Sequence, residues 1–119
     1  MARLRVIATA AVSALALLLA TPGSASAVAS GQFNYEYTDV NTHEVDDSQL
    51  LNPATNTCIT VPEVASGAAK FAFSPQNLTD TVLWVYSKKY CGGDKQIISQ
   101  KAKGPKTLHF LSFNFPTNE

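Results

Sequence analysis

The chain has 119 residues, and its nine basic and nine acidic side chains give a formal net charge of zero. All of its aromatic residues follow position 27, and this is the composition of a β-rich folded domain rather than of a disordered chain. The only arginines are Arg3 and Arg5, so the rest of the chain lacks the guanidinium groups that nucleic-acid-binding proteins typically use.

The first 27 residues have the composition of a secretory signal peptide. The two arginines form a basic start, Val6–Ala20 is an apolar run, and Ala25–Ala27 provides the small residues of a cleavage site. As a helix the apolar run would span roughly 22 Å, less than the ~30 Å core of a membrane. We therefore predict cleavage after Ala27 and a single secreted, extracellular domain over residues 28–119 without a transmembrane segment. The alanine-rich leader indicates a bacterial protein.

The two cysteines, Cys58 and Cys91, are predicted to form a disulfide bond. An exported chain meets an oxidising compartment, and two cysteines allow one intramolecular pairing. Their separation by 33 positions argues against a redox or metal pair. A domain of this size buries only about 60–65% of its unfolded surface, so a covalent link adds needed stability.

The first half of the domain contains two predicted strands and an acidic segment. Aromatic residues alternate with polar ones from Gln32 to Thr38, which predicts a strand with one buried face. Residues 39–49 contain little apolar surface and are predicted to form a long, solvated acidic loop. Thr57–Val61 is rich in β-branched residues and predicts a short strand that holds Cys58.

The second half carries the stronger strand signals. Lys70–Ser74 alternates again, and the residues from Pro75 to Asp80 predict a turn after it. Thr81–Ser87 is apolar on both faces, which predicts a strand between two layers with Trp84 in the core. Two further strands are predicted at Lys95–Gln100 and Thr107–Phe115, joined by a basic loop. About six or seven strands without a helical period predict an all-β fold, either a two-layer antiparallel sandwich or a Greek-key barrel.

Few residues suggest catalysis, and the chain is predicted not to be an enzyme. Both thiols are assigned to the disulfide, and there is no Gly-x-Ser-x-Gly motif around a serine nucleophile. Glu36 with Asp39, or Asp46 with Asp47, has the residue type of a glycosidase carboxylate pair, but nothing in the sequence marks either pair as buried. No catalytic residue is assigned.

No metal or cofactor is assigned either. The acidic segment begins like a calcium loop, but it has Glu44 at the glycine position and Leu50 at the final acidic position. His43 and His109 are too isolated to predict a zinc site. Asn77 begins a glycosylation sequon on the predicted turn, with little functional weight.

The second half of the chain is rich in lysine, which predicts a soluble, charged rim that balances the acidic segment or, as the functional interpretation, a cationic binding surface. For a binding surface, an anionic cell surface or a polysaccharide is the expected partner. Tyr86 and Tyr90 lie near the lysines and aromatic rings stack on sugars, whereas Trp84 is expected in the core. The candidate binding surface consists of Lys88, Lys89, Tyr90, Lys101, Lys103 and Lys106.

Four segments resemble small secreted actinobacterial proteins with a βγ-crystallin-like fold, which include killer-toxin-like, antifungal and metalloproteinase-inhibitor members. The segments are NTCITVP, NLTDTVLWVYSKKYCGG, a glycine-proline loop and HFLSFNF, within about residues 50 to 115. The calcium motif of crystallin domains is missing, so the resemblance implies no calcium site.

Three functions follow as hypotheses. The first is a binding or toxin-like module that acts at a cell surface or on a polysaccharide. The second is a secreted proteinase inhibitor that presents a stiff loop at Gly92–Lys95 or Lys101–Lys106. The third is a structural, envelope-associated protein.

Overall fold

The computed structural model describes residues 27–117. The predicted signal peptide therefore lies outside the described residues, apart from its last position. None of the helices in the described range is long and apolar enough to cross a membrane. The elements in chain order are β1 (Gly31–Thr38), β2 (Val45–Leu51), β3 (Ile59–Thr60), α1 (Pro62–Ala65), β4 (Ala72–Thr79), β5 (Leu83–Lys88), a 3₁₀ turn (Lys89–Cys91), β6 (Gly92–Ile98), β7 (Ala102–Lys103), β8 (His109–Phe110) and β9 (Ser112–Asn114).

The strands form two antiparallel sheets. The first has the order β2-β1-β4-β7, with β8 also paired to β4, and the second has the order β3-β9-β5-β6. The inner faces of both sheets contribute to one cluster of buried residues, which is the arrangement of a β-sandwich. The prediction of an all-β, two-layer antiparallel domain with one disulfide is confirmed.

The predicted acidic loop is shorter than expected, because Val45–Leu51 forms strand β2. This strand pairs with β1 along its whole length, with Glu36 opposite Asp47, so only residues 39–44 form the connection. The prediction of a loop over 39–49 was wrong because β2 lies at the edge of the sheet and most of its side chains are exposed. Charged side chains on an edge strand are typical, since they discourage pairing with other chains.

The predicted turn after Ser74 is also absent, because β4 continues through Pro75 to Thr79. The pairing of β1 with β4 shifts register between Asn34 and Glu36, and Ser74 has a φ of 54°. Proline has no N–H to donate to a neighbouring strand, so it is accepted at such a bulge. The turn-forming residues therefore make the strand irregular but do not end it.

Asn77, predicted to lie on a turn, is completely buried in β4. Its side-chain amide donates to the carbonyls of Thr81, Ile98 and Ser99 at 2.8, 3.3 and 3.1 Å. Its amide oxygen accepts hydrogen bonds from the backbone N–H and the hydroxyl of Thr79. The sequon residues Asn77 and Thr79 therefore hold two connections together in the interior and are inaccessible to glycosylation in the folded protein.

We expect Asn77→Ala to lower the free energy of unfolding by about 2–4 kcal/mol, because it leaves several buried polar groups without partners. Urea denaturation of both proteins measures the change. Asn41→Ala, in the exposed loop after β1, is the matched control and should change stability by less than ~0.5 kcal/mol. An equal, small effect of both substitutions would contradict the structural role of Asn77.

The last predicted strand, Thr107–Phe115, is divided between the two sheets. Strand β8 pairs with β4 in the first sheet, and β9 pairs with β3 and β5 in the second. The change of sheet occurs at Leu111, whose N–H donates to the carbonyl of Tyr86 at 2.9 Å. Strict alternation along one strand would place Phe110 and Phe113 on opposite faces. Because the chain changes sheet between them, both rings are buried in the core.

The core is dominated by aromatic rings around Phe33. Its ring centroid lies 4.9 to 6.0 Å from those of four other rings. Phe33 is fully buried, and such offset and edge-on ring pairs add stability beyond their buried area. The four neighbouring rings belong to Tyr35, Phe110, Phe113 and Phe115.

The disulfide joins Cys58, before β3, to Cys91 at the end of the 3₁₀ turn, with 6.0 Å between the Cα atoms. The backbone N–H of Cys91 also donates to the hydroxyl of Ser112 at 2.8 Å, and this hydroxyl donates to the carbonyl of Lys88. The turn after β5 is thus fixed to both β3 and β9. The predicted pairing is confirmed.

Two carboxylates accept hydrogen bonds from backbone N–H groups. Asp80 accepts the N–H of Ser30 at 3.0 Å, and Asp39 accepts the N–H groups of Asn41 and Thr42 at 2.7 and 3.0 Å. These bonds stabilise the charged form and lower the pKa of both carboxyls below their ordinary value.

We expect the free energy of unfolding to fall as the pH is lowered below about 4. A carboxyl with a lowered pKa in the folded state stabilises the fold above its unfolded pKa of about 3.9, and this contribution is lost as the pH falls through the folded pKa. Thermal unfolding from pH 6 to pH 2 measures the slope, and Asp80→Asn should make it shallower. An identical slope in both proteins would contradict the role of Asp80.

Candidate functional site

Strand β5 lies between β6 and β9 and has two different faces. Leu83 and Val85 are fully buried against the core, while Trp84 and Tyr86 alternate with them and are partly exposed on the outer side of the second sheet. The prediction of Trp84 as a core residue was wrong. Residues 27–117 form two layers, so within them one face of β5 is covered by the first sheet and the other faces solvent.

The neighbouring strand extends this aromatic surface. Ile97 lies directly opposite Trp84 and is 59% exposed, and Lys95 lies opposite Tyr86. The ammonium nitrogen of Lys95 is 3.9 Å from the centroid of the Trp84 ring, which is the geometry of a cation–π interaction. An exposed isoleucine beside two partly exposed aromatic rings is an apolar area typical of binding surfaces.

Part of the predicted surface lies at the end of the same sheet. Lys88 follows Tyr86 by two positions on β5 and is exposed, and the pairing with β6 shifts register between the two residues. Lys89 and Tyr90 belong to the 3₁₀ turn, where Tyr90 is 81% exposed and has a φ of 60°. We use the name aromatic–lysine face for the outer residues of the second sheet, namely Trp84, Tyr86, Lys88, Lys95 and Ile97.

The remaining predicted residues lie in another part of the fold. Lys103 is on β7 of the first sheet, where it pairs with Gln76. Lys101 is in the turn between β6 and β7, and its charge contributes to the lowered pKa of Asp80. Lys106 follows β7 and lines a groove with Lys103. The structure thus divides the predicted surface between its two sheets instead of bringing all six residues together.

The groups considered for catalysis or metal binding are scattered. Glu36 faces Asp47 across β1 and β2, while Asp46 faces Tyr37, so neither predicted carboxylate pair is a cross-strand pair. Among residues 27–117 there is no group of three or more side chains placed to hold a metal ion. His109 stacks on Phe71 with 3.9 Å between ring centroids.

A partly buried polar cluster that the sequence did not indicate has a structural role. The Tyr35 hydroxyl donates to Oε1 of Glu63 at 2.6 Å, and the Ser48 hydroxyl donates to Oε2 at 3.0 Å. Burial, followed by the hydrogen bond to Glu63, raises the pKa of Tyr35 well above its ordinary value. Both Glu63 oxygens are occupied, so this cluster ties α1 to β1 and β2.

The aromatic–lysine face combines two kinds of contact. Flat rings on a rigid strand stack against the apolar faces of sugar rings, and lysine ammonium groups donate to hydroxyl or carboxylate oxygens. A sugar that stacks on the ring face of Trp84 next to Lys95 has to displace the Lys95 ammonium from it. Trp84 and Tyr86 are two positions apart, roughly 7 Å along the strand, and can contact neighbouring units of one chain.

Comparisons of the chain with protein-family models, with curated proteins and with solved structures give no match. The resemblance to crystallin-like secreted proteins therefore stays a prediction.

Proposed function

We propose that this protein is a secreted binding module that holds a polysaccharide against its aromatic–lysine face. The observation that carries the proposal is the placement of the only tryptophan. Trp84 is the second residue of β5, an inner strand of the second sheet, yet it is left partly exposed beside Tyr86 and Ile97. An aromatic residue that serves only packing is expected on the inner face, where Val85 lies.

The charge around this face favours a polymer with anionic groups. Residues 83–98 contain three lysines and one acid, Asp94. Exposed charges are screened over about 10 Å at 0.1 M salt. Binding through these lysines should therefore weaken as salt is added, while the stacking contribution of Trp84 and Tyr86 remains. A cell-surface polysaccharide with carboxylate or phosphate groups offers both kinds of contact.

We expect Trp84→Ala to remove most of the binding while lowering the free energy of unfolding by only about 1–2 kcal/mol, less than the ~3–5 kcal/mol typical of a fully buried aromatic residue. Pull-down on chitin, cellulose and peptidoglycan identifies the polymer, and urea denaturation measures stability. Leu51→Ala is the matched control, because Leu51 is 71% exposed on the other sheet. Equal retention of both variants on the bound polymer would contradict the proposal.

A proteinase inhibitor is the second candidate, and one observation favours it. The predicted inhibitory loop Gly92–Lys95 is not a loop but the start of β6, an edge strand that pairs only with β5 in the described part of the chain. It directly follows Cys91 of the disulfide, and an edge strand can accept a strand from a partner protein. The other predicted loop, Lys101–Lys106, contains strand β7. Titration against a panel of secreted proteinases tests this candidate, and a protein inactive in both assays would fit the envelope-associated hypothesis.

A further inference from the structure

The outer face of the first sheet contains a groove that is separate from the aromatic–lysine face. It has a volume of about 320 Å³ and is lined by residues from β1, β2, β4 and β7. This volume is at the lower end of the range for sites that bind small molecules. The groove lies on the opposite side of the sandwich from Trp84, so a ligand bound here would not depend on the proposed polysaccharide site.

A row of amide side chains crosses the groove. Asn34 on β1 lies opposite Gln49 on β2 and opposite Gln76 on β4, and Gln76 lies opposite Lys103 on β7. Residues that are directly opposite in a sheet share one face, so these four side chains form a continuous line. Each amide both donates and accepts hydrogen bonds, as a peptide group does.

One amide in this row has unused hydrogen-bonding capacity. The side-chain oxygen of Asn34 is shielded from solvent and has no hydrogen-bond partner within residues 27–117. Shielded polar atoms in folded proteins are normally paired. The Asn34 oxygen is thus unsatisfied but covered, and a ligand in the groove reaches it only when the side chain rotates.

The acidic and the basic side chains of the groove lie on opposite sides of it. Glu36 and Asp47 lie directly opposite each other on β1 and β2, and like charges in this position destabilise a sheet. Lys103 and Lys106 line the other side. From β1 to β7 there are two strand spacings, or about 10 Å. The groove thus has an anionic side and a cationic side with amides between them.

We propose that this groove binds a short zwitterionic peptide, with its ammonium group against Glu36 and Asp47 and its carboxylate against Lys103 and Lys106. A peptide advances about 3.3–3.6 Å per residue, so about three residues span the distance between the two charged sides. The amides of the central row pair with the peptide groups. A neutral sugar would leave both charged sides without partners, and a metal ion would leave the lysines unused.

The test is a titration of the isotope-labelled domain with trialanine, followed by nuclear magnetic resonance. We expect saturable shifts at groove residues and not at Trp84. Acetylation of the peptide amine and amidation of its carboxylate should each weaken binding about tenfold or more, because each removes one charge-assisted contact.

Two variants connect each end of the peptide to its side of the groove. Acetylation of the peptide should weaken its binding to Asp47→Asn less than its binding to the native protein. Amidation should likewise weaken binding to Lys103→Gln less than binding to the native protein. Lys88→Gln, on the other sheet, is the control and should leave both effects unchanged. Absence of saturable shifts in the groove, or equal binding of the doubly capped peptide, would overturn the proposal.

Discussion

Phe33→Ala is expected to lower the free energy of unfolding by about 3–5 kcal/mol, the range for truncation of a fully buried aromatic side chain. Phe33 lies on β1 of the first sheet, but it contacts rings that belong to the second sheet through β9, such as Phe113 at 4.9 Å. The substitution therefore opens a cavity between the two layers. Urea denaturation of the two proteins, with the disulfide intact, measures the loss.

Two further variants make this expectation specific. Phe33→Leu fills part of the cavity and should recover about half of the loss or more, since the cost rises with the residual volume. Val45→Ala removes an apolar side chain that is 56% exposed on the edge strand β2, and it should cost less than ~0.5 kcal/mol. If Phe33→Ala were no worse than Val45→Ala, the two sheets would not share the core described above.

Loss of the disulfide is the second large effect. The bond closes a loop between positions separated by 33 residues, and the chain-entropy relation gives roughly 3.5–4 kcal/mol for a loop of this length. We expect the double variant Cys58→Ser, Cys91→Ser to be less stable by about this amount. Chemical denaturation measures it.

The matched comparison for the disulfide is the native sequence with both cysteines reduced and alkylated. Both forms lack the covalent link, so they should lose similar stability, although the alkyl groups add bulk beside the carbonyl of Phe113. A double variant that unfolds at the same denaturant concentration as the oxidised protein would show that the link between the 3₁₀ turn and β3 contributes little.

The sequence predicted those parts of the fold correctly in which apolar and polar residues alternate regularly or in which a residue has one possible partner. The alternation between Gln32 and Thr38 predicted β1, and the two cysteines allowed one bond. The apolar segment Thr81–Ser87 predicted β5. In each case the signal is local, or it involves one possible partner, so no knowledge of the neighbouring strands was needed.

The errors occur where the neighbouring strands determine the structure. Strand β2 has little apolar surface and exists because it pairs with β1, and β4 passes through Pro75 because a bulge accommodates a residue without an N–H. At the change of sheet, the N–H of Leu111 is paired with the carbonyl of Tyr86 on a neighbouring strand. None of these features produces a periodic pattern of apolar and polar residues in the sequence.

The candidate site was predicted only in part for the same reason. Lys88 and Tyr86 were identified from the sequence, but Trp84 was assigned to the core because an apolar strand does not reveal which face its partner sheet covers. The pairing of β5 with β6 places Lys95 and Ile97 beside Trp84. Lys103 lies on β7 of the first sheet, away from this face. The sequence alone does not show which sheet β7 joins, so Lys103 was grouped with Lys88.

The most direct test of the proposed binding face is the fluorescence of Trp84, which is the only tryptophan in the chain. In the free protein, the partly exposed Trp84 should emit as a partly solvated indole and be quenched by acrylamide. Addition of the polysaccharide retained in the pull-down should shift this emission to shorter wavelength and protect it from acrylamide, with saturation. An emission spectrum and quenching that stay unchanged at concentrations where the protein is fully bound would contradict a role for Trp84 in binding.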